Sequence, residues 1–286
     1  MKFTHSTLAL WAILSMVGCT TATDERTYDY QLFGLNCPVQ MVQVKAYKAE
    51  SKFGDITKGA LEWSGHYMAT FNSVGNLDTV KEFDYDGDLY SLERYKYNEE
   101  GLLVESCTYD EDGDLEHRND YEYDASGELT KQTTTTPSYW RDTPTVTTVE
   151  FIRNESGLAE ERYTKNNRLL AVLKYHKNDP TGAEFTICDQ KSDETTKGYT
   201  CLDEKGRVVE ENYGDGVVCK AQWNEKGLPV HTVNYTPYRN THLMKSESEE
   251  YFIEYEYDQN GNWVKQTLYE GALKTPSTIY ERVITY

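Results

Sequence analysis

The chain has 286 residues and a formal net charge of −19, with 48 acidic residues against 29 Lys and Arg. Such a chain repels phosphate backbones and anionic bilayer surfaces, which argues against nucleic acid as a partner. Its 24 Tyr and 8 Phe carry too much aromatic mass for an unfolded acidic tail.

In chain order, the first element is an address. A polar start containing Lys2 leads into an apolar run from Leu8 to Val17, which has the length of a signal-peptide core and is too short to span a bilayer. The run ends in Met16-Val17-Gly18-Cys19, which resembles the lipobox of bacterial lipoproteins, with Met16 where Leu is usual. The resemblance implies that Cys19 becomes the lipidated first residue of the mature chain. Several acyl chains on one Cys suffice for stable anchoring, each buried CH₂ contributing about 0.8 kcal/mol. We therefore read residues 1–18 as a signal peptide, 19–27 as a lipidated tether and 28–286 as a single β-repeat domain. Lys2 is the only formal charge of residues 1–18, so cleavage takes the net charge from −19 to −20.

A repeated phrase follows, an aromatic and Asp or Asn leading to Gly and then an apolar residue. It reads FNSVGNL around Gly75, FDYDGDL around Gly87, YNEEGLL around Gly101, YDEDGDL around Gly113 and YDASGEL around Gly127. Looser copies follow around Gly157, Asn167, Gly206, Gly227 and Gly261. From Gly75 to Gly127 the intervals are 12, 14, 12 and 14 residues, a periodicity that dominates every other signal. Physically the phrase is a turn. The Asx side chain bonds amides just ahead of it, and Gly takes the φ > 0 position. Asn167 in the Gly slot fits backbone geometry and does not fit catalysis. Between turns the period is two: Leu115, His117, Asn119, Tyr121 and Tyr123 share one face, and Glu116, Arg118, Asp120 and Glu122 the other. This predicts an all-β antiparallel meander with room for roughly 15 strands. With no long amphipathic helix to cover it, the meander forms one large curved sheet, an open shell or barrel-like, with a polar, Tyr-rich inner face.

These repeats resemble YD-repeat (RHS-like) sequences, and more closely their short relatives in lipoproteins of Bacteroidetes-type bacteria. The segment from Leu32 to Asp55 and the ending from Tyr255 to Tyr286 are similar to the corresponding parts of those proteins, except that Cys37 stands where Gly is common. The resemblance spans nearly all of the mature chain. It implies a β-sheet repeat fold and little about activity.

Several motifs invite chemistry. Glu82, Asp84, Asp86, Gly87 and Glu93 match an EF-hand spacing, yet their flanks alternate like strands, whereas a calcium loop of that kind needs helices. Asp179-Pro180-Thr181-Gly182 echoes the self-cleavage element of large RHS shells and is a strong turn signal in its own right. Five cysteines beyond Cys19 (Cys37, Cys107, Cys188, Cys201, Cys219) match no zinc pattern. Cys188 and Cys201 either oxidise across the loop between them or stay free. There is no HExxH, GxSxG, Walker loop or dinucleotide fingerprint, so we assign no catalytic residue, no metal site and no cofactor.

The period breaks at Thr130–Phe151, where two Pro bracket a stretch carrying Tyr139, Trp140 and Arg141, and again at Asp189–Tyr199 and Thr236–Ser248. Aromatics lifted on a rigid scaffold suit recognition, so Tyr139, Trp140 and Arg141 are the expected ligand-binding residues. Asp78-Thr79-Val80 resembles the O-glycosylation motif of exported Bacteroidetes proteins. The reading is a non-catalytic, lipid-anchored cell-envelope module, outer-membrane, periplasmic or surface-facing. It binds or scaffolds a protein or glycan and touches membrane only through its anchor. The alternatives are a carbohydrate-active enzyme using carboxylates in the curved sheet, or an immunity or accessory protein to a toxin. Two carboxylates about 5–10 Å apart in a groove would favour the enzyme.

Overall fold

The computed structural model describes residues 28–138, 143–155, 157–212, 214, 218–237 and 246–286. The signal peptide, Cys19 and its tether lie outside the described residues, as do Tyr139, Trp140 and Arg141.

The chain is an all-β antiparallel meander of 19 described strands, preceded by one short helix, α1 (Asp29–Leu32). The strands are more numerous than the repeat predicts because several hairpins turn without the phrase. One turns at Phe53-Gly54 and one at Pro180-Thr181, while the looser copy at Asn166-Asn167 also closes a hairpin. Asn166 and Asn167 hold φ of 49° and 62°.

Contacts divide the chain into two compact units. The first contains β1 (Met41–Lys52), β2 (Asp55–Leu61), β3 (His66–Phe71), β4 (Leu77–Phe83), β18 (Trp263–Glu270) and β19 (Thr275–Thr285), with most of β17 (Ser246–Tyr257). Here β1 is the hub. Its first half pairs with β3, its second half with β2, and its other edge with β19. The first strand of the meander is thus hydrogen-bonded to the last, and β1 has no free edge. Val42, Val44 and Ala46 of β1 are buried with Ala69, Phe71, Leu77, Val80, Trp263 and Ile279.

The segment before β1 belongs to this core. Phe33, Leu35 and Val39 are buried, and Phe33 meets Phe71 edge-on at 5.4 Å between centroids. Leu77 donates its amide to Asp29 at 2.9 Å, and Asn36 its amide to buried Asn262 at 2.8 Å. Arg282 lies over the Trp263 ring, 3.8 Å from its centroid, and donates to the Phe33 carbonyl at 2.5 Å. Burial lowers the Arg282 pKa, the cost of holding a guanidinium away from water. His66 is buried between the Ala46 amide, which donates to Nδ1 at 3.1 Å, and the Glu62 carbonyl at Nε2, 2.9 Å away. That pairing requires the neutral ring protonated at Nε2.

The second unit contains β6 (Leu103–Tyr109), β7 (Leu115–Tyr123), β8 (Leu129–Thr136), β9 (Thr145–Asn154), β10 (Gly157–Lys165), β11 (Arg168–Asp179), β12 (Gly182–Asp189), β13 (Thr195–Leu202) and β14 (Val208–Asn212). Each pairs antiparallel with the next. Leu173, Ala183 and Phe185 form its apolar core, with Tyr163, Tyr175 and Ile187 packed against them. The strands β5 (Leu89–Tyr97), β15 (Val218–Trp223) and β16 (Pro229–Pro237) complete the meander. The sequence break at Asp189–Tyr199 resolves into a turn capped by Asp189, which accepts the Lys191 and Ser192 amides at 2.8 Å, with β13 already under way at Thr195.

The repeated phrase forms one kind of turn. Gly75, Gly87, Gly101, Gly113, Gly127, Gly206, Gly227 and Gly261 all hold φ between 75° and 92°. In each, the Asx amide bonds the carbonyl four residues on, and the Gly amide bonds the Asx carbonyl. The Asx side chain caps the amides inside. Asp84 Oδ1 accepts from Asp86, Gly87 and Asp88 at 2.9–3.0 Å, and Asn72, Asn98 and Asn224 do the same work without charge. The EF-hand-like window is therefore a hairpin turn, with Asp84 turned towards backbone amides. Among the described residues no cluster of three metal-ligating side chains occurs.

Candidate binding surfaces

The two faces of the sheet in the second unit are chemically distinct. On one, Arg118 bonds Asp120 at 2.6 Å and Glu105 at 2.8 Å, and Lys131 bonds Glu122 at 2.7 Å. These residues alternate along β6, β7 and β8, as the period of two requires. The other face carries Ser106, His117, Asn119, Tyr121 and Gln132, opposite one another by register. Along the described residues of β6–β8 neither face is a continuous apolar band.

A polar chain crosses this second face. Thr134 donates to Asn119 at 2.7 Å, Asn119 donates to the buried Ser106 at 3.1 Å, and Ser106 in turn bonds Glu93. Tyr95 also donates its hydroxyl to Glu93, at 2.7 Å. Burial raises the Glu93 carboxyl above its usual range against the pull of Tyr95, Ser106 and His117. Burial, and after it the neighbouring Glu93 carboxylate, push the Tyr95 phenol well above its usual pKa. A second carboxylate, Glu161, accepts the hydroxyls of both Tyr163 and Tyr175, the latter at 2.7 Å. Glu254 and Tyr269 repeat the pairing at 2.6 Å in the first unit, where Tyr269 is pushed up to about 12 by burial and by Glu254. Glu93, Glu161 and Glu254 thus share one role, accepting tyrosine hydroxyls.

The second unit also holds a shallow concavity of about 510 Å³ beside β12 and β13, lined by Gly182, Phe185, Lys197, Gly198, Tyr199 and Cys201 among others. Among the described residues that line it, Glu184 is the only carboxylate, and His176 and Lys197 line it as well. The Asp179–Gly182 element at its rim is a hairpin turn in which Asp179 accepts from the Thr181 amide at 2.8 Å and from its hydroxyl at 2.6 Å. Cys188 pairs with Thr195 and Cys201 with Gly182, six positions apart along one ladder, and none of the five described cysteines is in a disulfide. A Cys188–Cys201 disulfide is thereby excluded. Thr79 is half-buried with its hydroxyl 2.8 Å from that of Thr70, a cross-strand pair that does not offer it as a glycan acceptor.

The first unit shows a surface that sequence reasoning missed. Trp63 is 70% exposed and stacks on Tyr85, itself 44% exposed, at 4.8 Å between centroids and 26° between planes. The pair meets because His66 stands opposite Phe83 across β3 and β4, which brings the residues just before β3 and just after β4 to one end. Asp86 and Asp88 are exposed in the same turn, and the Tyr85 hydroxyl bonds Asp86, which raises its pKa. Tyr85 lies inside a repeat phrase and Trp63 outside any, so neither carried a signal of its own.

No protein-family profile matches the chain, and no curated protein matches it in sequence. Among solved structures it is similar to a porin-like protein from Bacteroides uniformis ATCC 8492, at 10% identity and a TM-score of 0.40, covering 86% of this chain and 96% of that one. It is similar to a TcdB2-TccC3 chain at 12% identity and a TM-score of 0.26, over 85% of this chain but 16% of that one. A porin-like protein from Bacteroides vulgatus ATCC 8482 matches at 11% identity and a TM-score of 0.24, over 85% and 97% of the two chains. At such values no activity transfers from these proteins.

Proposed function

We propose that this protein is a lipid-anchored module of the bacterial cell envelope that binds a protein or glycan partner and performs no chemistry. The observation that carries the reading is the exposed Trp63–Tyr85 stack, mounted on paired strands. Exposed aromatics of this kind, held by a rigid scaffold, lose little entropy when a partner covers them. Two further features support it. Turn carboxylates such as Asp84 accept backbone amides, and Glu93 and Glu161 in the sheet accept Tyr hydroxyls, roles that are structural. The charged alternation of β6–β8 suits water on the outside of the sheet, so the membrane connection is assigned to Cys19 and not to the strands.

The test has two arms. Replacing Cys19 with Ser should move the protein from the membrane fraction to the soluble one or leave an unprocessed precursor, and an unmodified mature N-terminus elsewhere refutes the anchor. For binding, the full chain should retain a ligand from a panel of glycans and purified peptides without converting it. Turnover of any glycan on that panel would return the enzyme reading.

A further inference from the structure

The partner of the Trp63–Tyr85 surface can be specified further, and the specification rests on the binding-module reading above. We propose that this surface takes a cationic side chain, Arg or Lys, presented by a basic protein or peptide segment. Four observations converge. The Trp63 ring is mostly uncovered, so one broad π face is free to receive a cation. Tyr85 backs that ring at stacking distance, holding it in place and leaving its outward face for the ligand. Asp86 and Asp88, in the turn that carries Tyr85, are exposed and have no cationic partner among the described residues. The whole chain carries −19, a field that draws basic partners and gives nothing to neutral ones.

A guanidinium or ammonium over an indole, with carboxylates at the rim, is bound by the ring quadrupole and by charge together. The same chain already makes this contact internally: Lys58 lies over Tyr47 at 4.8 Å while bonding Glu281 at 2.7 Å. Lys226 lies over Tyr257 at 4.5 Å, and Lys274 over Phe252 at 4.4 Å. Trp63 and the exposed carboxylates of the turn that carries Tyr85 offer the aromatic and acidic parts of that arrangement with the cation still to come. A neutral sugar would also stack on Trp63, yet it would make no use of the acidic rim.

The experiment titrates the full chain with a synthetic peptide of alternating Gly and Arg, and separately with a neutral β-glucan hexasaccharide, at low and at moderately high salt. The peptide should bind, and salt should weaken it. Trp63→Ala should lower peptide affinity about fivefold, the effect of one exposed cation–π contact, while Trp63→Phe recovers part of the loss. Asp86→Asn with Asp88→Asn should weaken binding and flatten its salt dependence. Melting temperatures of all variants should match the parent, since the replaced side chains are exposed. Peptide affinity unchanged by Trp63→Ala overturns the site. Hexasaccharide binding that needs Trp63 and ignores salt overturns the cationic partner and keeps the binding module. Failure of both probes at low salt overturns both.

Discussion

Glu93 separates a structural carboxylate from a working one, because it has the raised pKa and the nearby His117 that an acid catalyst would show. Consider Glu93→Gln and Glu93→Ala. The glutamine keeps an oxygen for the Tyr95 hydroxyl and the Ser106 contact while removing the charge that burial penalises. The sign follows from linkage: an acid whose folded pKa is raised stabilises the fold only while protonated, and that contribution is lost as pH rises through the folded value. Above its raised folded pKa the parent therefore carries a buried, penalised charge, and there Glu93→Gln should be equally stable or more stable than the parent. The advantage should fade as pH falls below the ordinary Glu value of 4.5. Glu93→Ala should instead cost about 1–3 kcal/mol, since it strands the Tyr95 hydroxyl and part of the Thr134–Asn119–Ser106 chain without an acceptor. Urea melts at several pH values measure both. A glutamine variant less stable than the parent above that folded pKa would refute the account of Glu93 as a penalised charge. A glutamine variant that is stable but has lost a measurable turnover would show that the residue is retained for chemistry.

Two glycines test the backbone argument. Gly87→Ala should cost about 1–2 kcal/mol from its φ of 90° alone, because nothing lies within 4 Å of the new methyl. Gly182→Ala should cost more than about 4 kcal/mol, because its Cβ would sit 1.9 Å from the Thr200 carbonyl oxygen; equal losses in chemical denaturation would refute the difference. Asp203 is held down to about 2 by the hydrogen bonds it accepts from the Arg207 side chain and amide. The stability it adds should be complete above the ordinary Asp range and disappear as pH falls towards 2. Acid titration of Asp203→Asn should lack that component.

Much of this architecture was readable in the chain because a turn and a strand are local objects. The Asx–Gly phrase specifies its own hydrogen bonds, so the eight φ > 0 glycines follow from the sequence with no knowledge of neighbours. The period of two likewise separated the Arg118 face from the Asn119 face. What stayed hidden depends on pairing between distant segments. Nothing in Phe33-Gly34-Leu35 announces that Arg282, 249 residues on, will bond the Phe33 carbonyl. Trp63 and Tyr85 are 22 positions apart, and only the β3–β4 register makes them a pair. The extra strand before β2 escaped for a related reason: Phe53 takes a φ of 55° without the phrase, so its hairpin lacks the signature.

The acidic punctuation still needs a cause, and the turns themselves supply one. At the capping position Asn72, Asn98 and Asn224 stand beside Asp84, Asp110, Asp124, Asp203 and Asp258, and both residue types accept the same amides at the same distances. Turn geometry is therefore indifferent to the charge. Exposed ion pairs of the kind seen on β6–β8 contribute at most about 1 kcal/mol each, so outside the Asp203–Arg207 pair local stability selects it only weakly. What remains is the long-range field, which keeps copies of a strand-rich protein apart and draws basic partners. The triple replacement of Asp84, Asp110 and Asp124 by Asn isolates that term, changing the net charge from −19 to −16 while every turn keeps its cap. We expect an unchanged melting temperature, lower solubility near neutral pH and slower association with the Gly–Arg peptide at low salt, converging on the parent rate at high salt. Replacing the same residues with Ala should instead lower stability by about 1 kcal/mol per turn, the cost of an unmade cap. If the Asn triple variant melts well below the parent, the carboxylates have a local role that their hydrogen bonds do not reveal, and the field argument fails.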